Sequence, residues 1–321
     1  MSTSRHIIAL LKSHMEGEEQ QFLSVALQMA AHEARKGHSK VAQEIQSLID
    51  QAKSKKSALE KQGSATKVFQ PKGELSNLVS VRRSETRFVD MVLQPKLKAR
   101  LDRILIEQRN QCRLAEHNLQ PRRKILLVGR PGSGKSMTAA ALAGELGLPL
   151  FTVMYDCLIT KYMGETANQL KLIFDAMKSD RGVYFFDEFD AIGSQRASTN
   201  DSGEIRRVLN SFLQFLENDE SQSIVIAATN HPELLDKALF RRFDDVIKYE
   251  LPDEQIVRKL LKTRLSSFKL EWDNWSSIIH ASKDLSQAEV VNAANEAAKI
   301  AVISNQDSIS EETLLEAITN F

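Results

Sequence analysis

Gly129-Arg130-Pro131-Gly132-Ser133-Gly134-Lys135-Ser136 is the stretch that decides the fold. It fits the pattern G-x-x-x-x-G-K-[ST], follows the apolar run 125–128 and precedes the small-residue run 138–143, which is typical of a helix. Strand, glycine-rich turn and helix are the context in which this pattern binds phosphate groups. The glycines let the backbone turn tightly and direct its N–H groups at phosphate oxygens. We call residues 129–136 the phosphate loop, and they predict a nucleoside triphosphate site.

The side chains of the phosphate loop have separate predicted roles. Lys135 is expected to reach the β- and γ-phosphates, and Ser136 to offer its hydroxyl to Mg²⁺. An ordinary glycine turn before a helix is the alternative, and the match of both flanks disfavours it. The remaining predicted nucleotide-binding positions are Gly129, Pro131, Gly132, Ser133, Gly134 and Met137.

Length and composition exclude several classes of protein. The chain has 321 residues, 42% of them apolar, and a net charge of +1, which describes an ordinary globular protein with two or three modest domains. From the near-neutral charge we do not expect nucleic acid as a partner. No apolar run approaches a membrane span and no secretory leader is recognisable, so we expect a cytoplasmic protein. Cys112 and Cys157 show no metal or redox spacing and are expected to be reduced, buried thiols.

The chain before the phosphate loop divides into three parts. Residues 1–52 contain three short amphipathic helical patterns and predict a small all-α domain. Residues 53–74 are rich in Lys, Ser and Gly and predict a linker. From residue 75 the chain leads through the apolar segment 88–93 to a long helix. The predicted buried side of that helix consists of Leu97, Leu101, Ile104, Leu105 and Gln108.

Apolar runs alternate with helical patterns after the phosphate loop. Further strands are predicted at residues 150–153, 183–186, 224–228 and 246–249. This alternation predicts an α/β domain over residues 75–251, with a parallel sheet, helices on both faces and ligand at the carboxyl ends of the strands. Residues 252–321 are expected to form a helical lid, entirely helical from residue 255.

Three polar residues at predicted strand ends suit phosphoryl transfer. Asp187 is expected to hold Mg²⁺, and the adjacent Glu188 to act as the general base for an attacking water. Asn230 is predicted to orient that water by hydrogen bonding. An asparagine in a turn before a proline is the alternative for Asn230.

These motifs resemble the AAA+ ATPases, in particular the AAA branch that includes katanin, spastin and the membrane-bound bacterial proteases. The similarity is carried by residues 129–136, 184–188, 227–230 and 235–244, and it covers roughly residues 75–321. It implies a P-loop NTPase fold with a helical lid, ATP and Mg²⁺ as cofactors, and a homo-oligomer, usually a hexamer, with ATP between subunits.

The resemblance also assigns the segment after Asn230. It implies that Arg241 and Arg242 are arginine fingers that act on the ATP of the neighbouring subunit, where guanidinium groups stabilise charge on the γ-phosphate. A surface ion pair with Asp244 or Asp245 is the alternative.

Tyr162, Met163 and Gly164 resemble the pore loop of the family, which grips polypeptide in the central channel. An aromatic face beside an adaptable Met suits many different side chains. Tyr162 as a core residue is the alternative. The chain is therefore expected to be an ATP-driven protein remodeller or unfoldase that contacts its client, or a separate partner enzyme, through residues 1–52. A regulatory switch for a partner such as a protease, and a nucleic-acid-stimulated ATPase, are the alternatives.

The phosphate loop departs from the usual family pattern without an expected loss of binding. Arg130 occupies a position where proline is more usual, and Ser133 and Ser136 stand where many relatives have threonine. Ser286-Gln287-Ala288-Glu289 occupies the lid position where other AAA+ branches place a sensing arginine, and the absence of that arginine is normal for the AAA branch. Its Ser and Glu fit a capping box.

Overall fold

The computed structural model describes residues 73–154, 163–189, 202–235 and 237–321, together with Ala30. The chain divides into two compact units, Met1–Lys67 and Val68–Phe321. The predicted all-α domain over residues 1–52 and most of the predicted linker lie outside the described residues. Everything that follows concerns the second unit.

A six-stranded sheet forms the centre of this unit, in the order β1-β3-β4-β5-β2-β6. Strands β2 to β6 run parallel, whereas β1 pairs antiparallel with β3 at the edge. The described strands are β1 (Val79–Arg83), β2 (Lys124–Val128), β3 (Pro149–Val153), β4 (Val183–Phe186), β5 (Ile224–Thr229), β6 (Asp245–Lys248), β7 (Lys269–Leu270) and β8 (Ser308–Ile309).

Helices cover both faces of the sheet, as predicted. Successive side chains of a strand point to opposite faces, so one strand can contribute to two apolar cores. In β2, Leu126 and Val128 belong to one apolar core and Ile125 and Leu127 to another. The described helices are α1 (Leu75–Leu78), α2 (Pro95–Arg109), α3 (Gln111–Glu116), α4 (Lys135–Leu146), α5 (Met163–Ser179), α6 (Ser202–Asn218), α7 (Lys237–Phe240), α8 (Glu254–Arg264), α9 (Ser276–Ala281), α10 (Gln287–Ile303) and α11 (Glu311–Thr319), with 3₁₀ turns at Phe88–Asp90 and Pro232–Leu234.

The long helix α2 shows how the sequence pattern becomes packing. It begins at Pro95, in the first turn, where a missing N–H costs nothing. The five residues predicted for its buried side are the five that are buried, and the four apolar ones pack on the face of the sheet that α4 also covers. The neighbouring helix α3 has no buried residue, so Cys112 is exposed and the expectation of a buried thiol is wrong at this position.

A third apolar core lies within the C-terminal part of the chain, residues 254–319, which we call the lid. Helices α8 to α11 contribute most side chains of this core, and Ile309 of β8 belongs to it as well. The expectation that the chain is entirely helical from residue 255 is wrong in one detail, because β7 and β8 form a two-stranded parallel ladder there. In the described part of the chain, no helix combines the length and apolar character that a membrane span requires.

Candidate nucleotide site

The phosphate loop lies where predicted, between the end of β2 and the start of α4. Gly132 and Gly134 have φ angles of +73° and +95°, in the left-handed region that favours glycine. Gly132 also touches the lid, because a Cβ built on it would lie 2.6 Å from Ser286 Oγ. The loop therefore has both the backbone conformation and the close approach that glycine permits.

Lys135 is 6% exposed, and its ammonium group lies within the phosphate loop. Nζ donates to the carbonyl oxygens of Gly129 at 2.7 Å and Arg130 at 2.9 Å. It also donates to Asn230 Oδ1 at 2.7 Å. Asn230 follows β5, so adjacent parallel strands deliver these two side chains to one point. The structure thus brings together two residues that the sequence placed 95 positions apart.

A hydroxyl and a carboxylate meet beside the lysine. Ser136 Oγ donates to Asp187 Oδ2 at 2.8 Å, at the end of β4. Oxygen donors of this kind are the ligands that Mg²⁺ prefers, so the donor set fits the ion that a triphosphate brings. The residue that follows, Glu188, is exposed and has a φ angle of +48°. A non-glycine residue in this region is uncommon, and such strain is concentrated at functional sites.

Most of the predicted nucleotide-binding and metal-binding residues line one cleft of about 620 Å³, within the range of small-molecule sites. Residues 131–137 contribute to it together with Asp187, Glu188 and Asn230, whereas the predicted position Gly129 is not among the described lining residues. Sequence reasoning missed the remainder of the lining. The missed residues are Asp90, Met91 and Val92, which follow β1, and, from the lid, Leu260, Thr263, Arg264, Gln287, Ala288, Val291 and Asn292.

The lid residues of the cleft carried a sequence signal that could have been used. On α8, Leu260, Thr263 and Arg264 have the i, i+3, i+4 spacing of one helix face. On α10, Asn292 interrupts an otherwise apolar run. A polar residue at an apolar position indicates a face that meets something other than the core, although the sequence does not say which site that face meets.

The start of α10 contacts the phosphate loop directly. The amide of Ala288 donates to the carbonyl of Gly132 at 3.0 Å. The predicted capping box is confirmed, since Ser286 Oγ accepts from the amide of Glu289 and the Glu289 carboxylate accepts from the amide of Ser286 at 2.6 Å. These hydrogen bonds, helped by the charge of Arg130, hold the pKa of Glu289 below its ordinary value.

Arg241 and Arg242 lie at the amino ends of the parallel strands, which we call the amino edge of the sheet. The phosphate loop lies at the carboxyl ends of these strands, which we call the carboxyl edge. Both arginines precede Asp245, which pairs in register with Ile125 at the start of β2, whereas the phosphate loop follows the end of β2. The strand between these points spans roughly 10 Å at 3.3 Å per residue. Within the described residues, neither arginine lines the cleft. The structure therefore does not bring these two predicted residues to the nucleotide site of their own chain.

The arginine segment, residues 240–244, makes contacts other than the surface ion pair with Asp244 or Asp245 that was the alternative. Arg242 forms an ion pair with Glu217 at the end of α6, while Arg241 is exposed and has no ion-pair partner among the described residues. Asp244 instead accepts from the amides of Arg123 and Lys124, both at 2.9 Å. Asp245 pairs with Arg100 and Arg122.

The predicted pore loop is only partly covered. Tyr162 lies outside the described residues, as does Cys157. Met163 and Gly164 form the first positions of α5, and their backbone alone is described.

Comparisons with known proteins support one family. Residues 125–251 match the model of the ATPase family associated with various cellular activities (AAA). Over 94% of its length the chain is 31% identical to an uncharacterized AAA family ATPase, y4kL, of Sinorhizobium fredii, and it covers 91% of that protein. It is also 33% identical, over 77% of its length, to the ATP-dependent zinc metalloprotease FtsH of Helicobacter felis. The chain spans only 40% of the length of that FtsH.

A solved structure supports the fold. The crystal structure of the FIGL-1 AAA domain matches with a TM-score of 0.60, covering 76% of this chain and 85% of that one. Its sequence identity is 22%, so this match shows the fold alone. The sheet order, the phosphate loop and the lid described above are therefore the parts of a known α/β architecture.

Proposed function

The chain belongs to the AAA family of ATPases, and we propose that it hydrolyses ATP in a ring of identical subunits to pull on or unfold a polypeptide. The observation that carries this proposal is the division of the catalytic groups between the two edges of the sheet. Lys135, Ser136, Asp187, Glu188 and Asn230 meet in one cleft, and the arginines do not. A second copy is needed to supply them.

Within the cleft, the roles of the chain's own residues follow from their chemistry. The backbone of the phosphate loop and Lys135 would bind the phosphates, and Ser136 and Asp187 would hold Mg²⁺, which offsets charge on the β- and γ-phosphates when bound. Glu188 would accept a proton from the attacking water. Asn230 Oδ1 would orient that water once Lys135 turns to the phosphates.

The arginine segment is suited to act on a neighbour. Phe243 is 7% exposed and belongs to the apolar core, so the backbone of this segment is anchored. Arg242 Nη1 contacts Glu217, and its Nη2 donates to no described residue, which leaves one end of the guanidinium for an incoming phosphate. A guanidinium supplied by a partner contributes about 10³ to 10⁵ in rate.

The client is proposed from sequence. Tyr162, Met163 and Gly164 suit a loop that grips polypeptide, and residues 1–52 are proposed to recognise the client or a partner enzyme. The similarity to FtsH supports this proposal, since that protein is an ATP-dependent protease.

The test is the ATPase rate per subunit at increasing protein concentration, without client and then with an unfolded protein or with DNA. We expect the rate per subunit to rise with concentration and unfolded protein to stimulate it further. Stimulation by DNA alone, with a steep dependence on salt, would contradict the polypeptide client. Tyr162→Ala should remove stimulation by unfolded protein, and its retention would favour a regulatory switch.

A further inference from the structure

Tyr249 contacts the start of the phosphate loop and the helix that follows it. Its amide donates to the carbonyl of Val128 at 2.7 Å, and a Cβ built on Gly129 would lie 2.7 Å from Tyr249 Cβ. At its other end, the Tyr249 hydroxyl lies 2.5 Å from Thr138 Oγ1, in the first turn of α4. One residue therefore reaches from the first position of the loop to the helix that follows it.

The direction of these hydrogen bonds can be assigned by counting protons. Thr138 Oγ1 donates to the carbonyl of Gly134 at 3.0 Å. A hydroxyl has one proton to donate, so Thr138 must accept from Tyr249. Burial raises the pKa of Tyr249, which keeps the phenol protonated and able to donate. Two hydrogen bonds thus connect Tyr249 to Thr138 and Thr138 to Gly134.

This series of hydrogen bonds ends at the peptide group between Gly134 and Lys135, which matters for phosphate binding. Gly134 has a φ angle of +95° and is the N-cap of α4. The carbonyl of Gly134 accepts from both the hydroxyl and the amide of Thr138, the latter at 2.9 Å. The same peptide carries the N–H of Lys135, one of the N–H groups at a helix start that have no partner within the helix and bind anions. Holding the carbonyl therefore fixes the direction of that N–H.

We propose that Tyr249 is a positioning residue for nucleotide binding, whose hydroxyl acts through Thr138 to hold the phosphate loop in its phosphate-binding conformation. This inference rests on the ATP site proposed above. A loop that is already ordered loses less conformational freedom when the ligand binds, so affinity is higher. Tyr249 itself lines no part of the cleft among the described residues.

A second buried tyrosine provides a matched control. Tyr184 on β4 is fully buried, and its hydroxyl donates to the carbonyl of Asp180 at 3.0 Å. Burial raises its pKa as well. Tyr184→Phe and Tyr249→Phe each delete one buried hydroxyl and one hydrogen bond, but only the second bond leads to the phosphate loop.

The experiment compares the wild-type chain with these two variants, using MgADP in a calorimetric titration and a thermal melt of each protein. Both variants should melt at a lower temperature than the wild type. Tyr249→Phe should weaken MgADP binding about three- to tenfold, the equivalent of one hydrogen bond. Tyr184→Phe should bind MgADP as tightly as the wild type.

Variants of Thr138 test the connection itself. Thr138→Val should weaken MgADP binding as much as Tyr249→Phe, and the two changes together should cost less than the product of their separate effects, because they break one path. Thr138→Ser keeps the hydroxyl and should retain affinity.

Two results would overturn the inference: wild-type affinity in Tyr249→Phe, or equal weakening in Tyr184→Phe, which would indicate general destabilisation. Failure of the wild-type chain to bind MgADP would instead contradict the proposed ATP site.

Discussion

The carboxyl edge and the amino edge of the central sheet differ in whether their functional side chains already contact one another. At the carboxyl edge, Lys135 already donates a hydrogen bond to Asn230, and Ser136 donates one to Asp187. At the amino edge, Arg242 contacts Glu217 and no other charged group in the described part of the chain, and its side chain is 37% exposed. The carboxyl edge thus holds an assembled cleft, whereas Arg242 at the amino edge lies outside the cleft of its own chain. Under the proposed function, hydrolysis at one edge requires the other edge of a second molecule.

The edges also differ in what supports them. The phosphate loop is held by α4, by the lid and by Tyr249. The arginine segment is held by Asp244, by the core residue Phe243 and by the buried ion pair between Arg123 and Asp219 next to it. Both edges are thus supported by contacts within one chain, although their functional groups are expected to work on different ATP molecules.

The largest predicted effect concerns the amino edge. Arg242→Ala should lower the turnover of ATP about 10³-fold, because a guanidinium that stabilises charge on the γ-phosphate is lost. The affinity for MgADP should not change, since Arg242 lies outside the cleft of its own chain. Arg103→Ala is the control, because Arg103 is another exposed arginine, 68% exposed, on the surface of α2. A loss of MgADP affinity in Arg242→Ala would remove the distinction between the edges.

A somewhat smaller effect is expected from the base at the carboxyl edge. Glu188→Gln should lower turnover about 10²-fold while the protein still binds ATP, since the amide cannot accept the proton of the attacking water. Single-turnover hydrolysis and ATP binding are measured on the same sample. Glu220→Gln, an exposed glutamate after α6, serves as the control. Loss of ATP binding would contradict the assignment of Glu188 as a base.

Nucleotide affinity is the next quantity to change. Lys135→Ala should weaken MgADP binding about 10- to 100-fold, the value of one or two hydrogen bonds from a charged donor. The same variant should keep its assembly, because Lys135 is buried within the phosphate loop and away from Arg242. Calorimetry and sedimentation measure the two properties, and unchanged affinity would show that the cleft is not the nucleotide site.

The smallest effect is expected where the lid meets the phosphate loop. Ser286→Ala removes the side-chain cap of α10 and should lower the free energy of unfolding by about 1 kcal/mol. Denaturant unfolding at neutral pH measures this value. No change would indicate that the cap contributes nothing to the lid.

The same cap should depend on pH. The folded-state pKa of Glu289 is lowered, so its contribution to stability is complete above its unfolded pKa and is lost as the pH falls through the folded pKa. Glu289→Gln should therefore remove part of the acid dependence of unfolding. An identical pH profile in wild type and Glu289→Gln would contradict this reading.

Much of the carboxyl edge could be predicted from sequence because its signals are local. The strand and helix on either side of the phosphate loop follow from a fixed spacing, and the predicted core strands agree with the structure to within about one residue at their ends. Asp187 and Asn230 were predicted because each ends an apolar run, and parallel strands place such ends together.

The missed features depend on contacts between distant segments. Strand β1 has only two residues facing inward, ends in two arginines and is defined by its pairing with β3. Strands β7 and β8 have two residues each, too few for a periodic signal. The lid residues of the cleft were missed because amphipathic helices reveal an apolar face but not its partner. Tyr249 was predicted only as a strand residue, since its bond to Thr138 joins positions 111 apart.

The claim that one chain completes the site of another is tested most directly by mixing two inactive variants. A Lys135→Ala chain keeps Arg242 but lacks the cation of the phosphate loop, and an Arg242→Ala chain has the reverse defect. In an equal mixture about a quarter of the head-to-tail seams would combine an intact cleft with an intact arginine. We predict that ATPase activity returns on mixing to a corresponding fraction of the wild-type rate. A mixture that forms mixed assemblies but stays as inactive as its components would contradict the account.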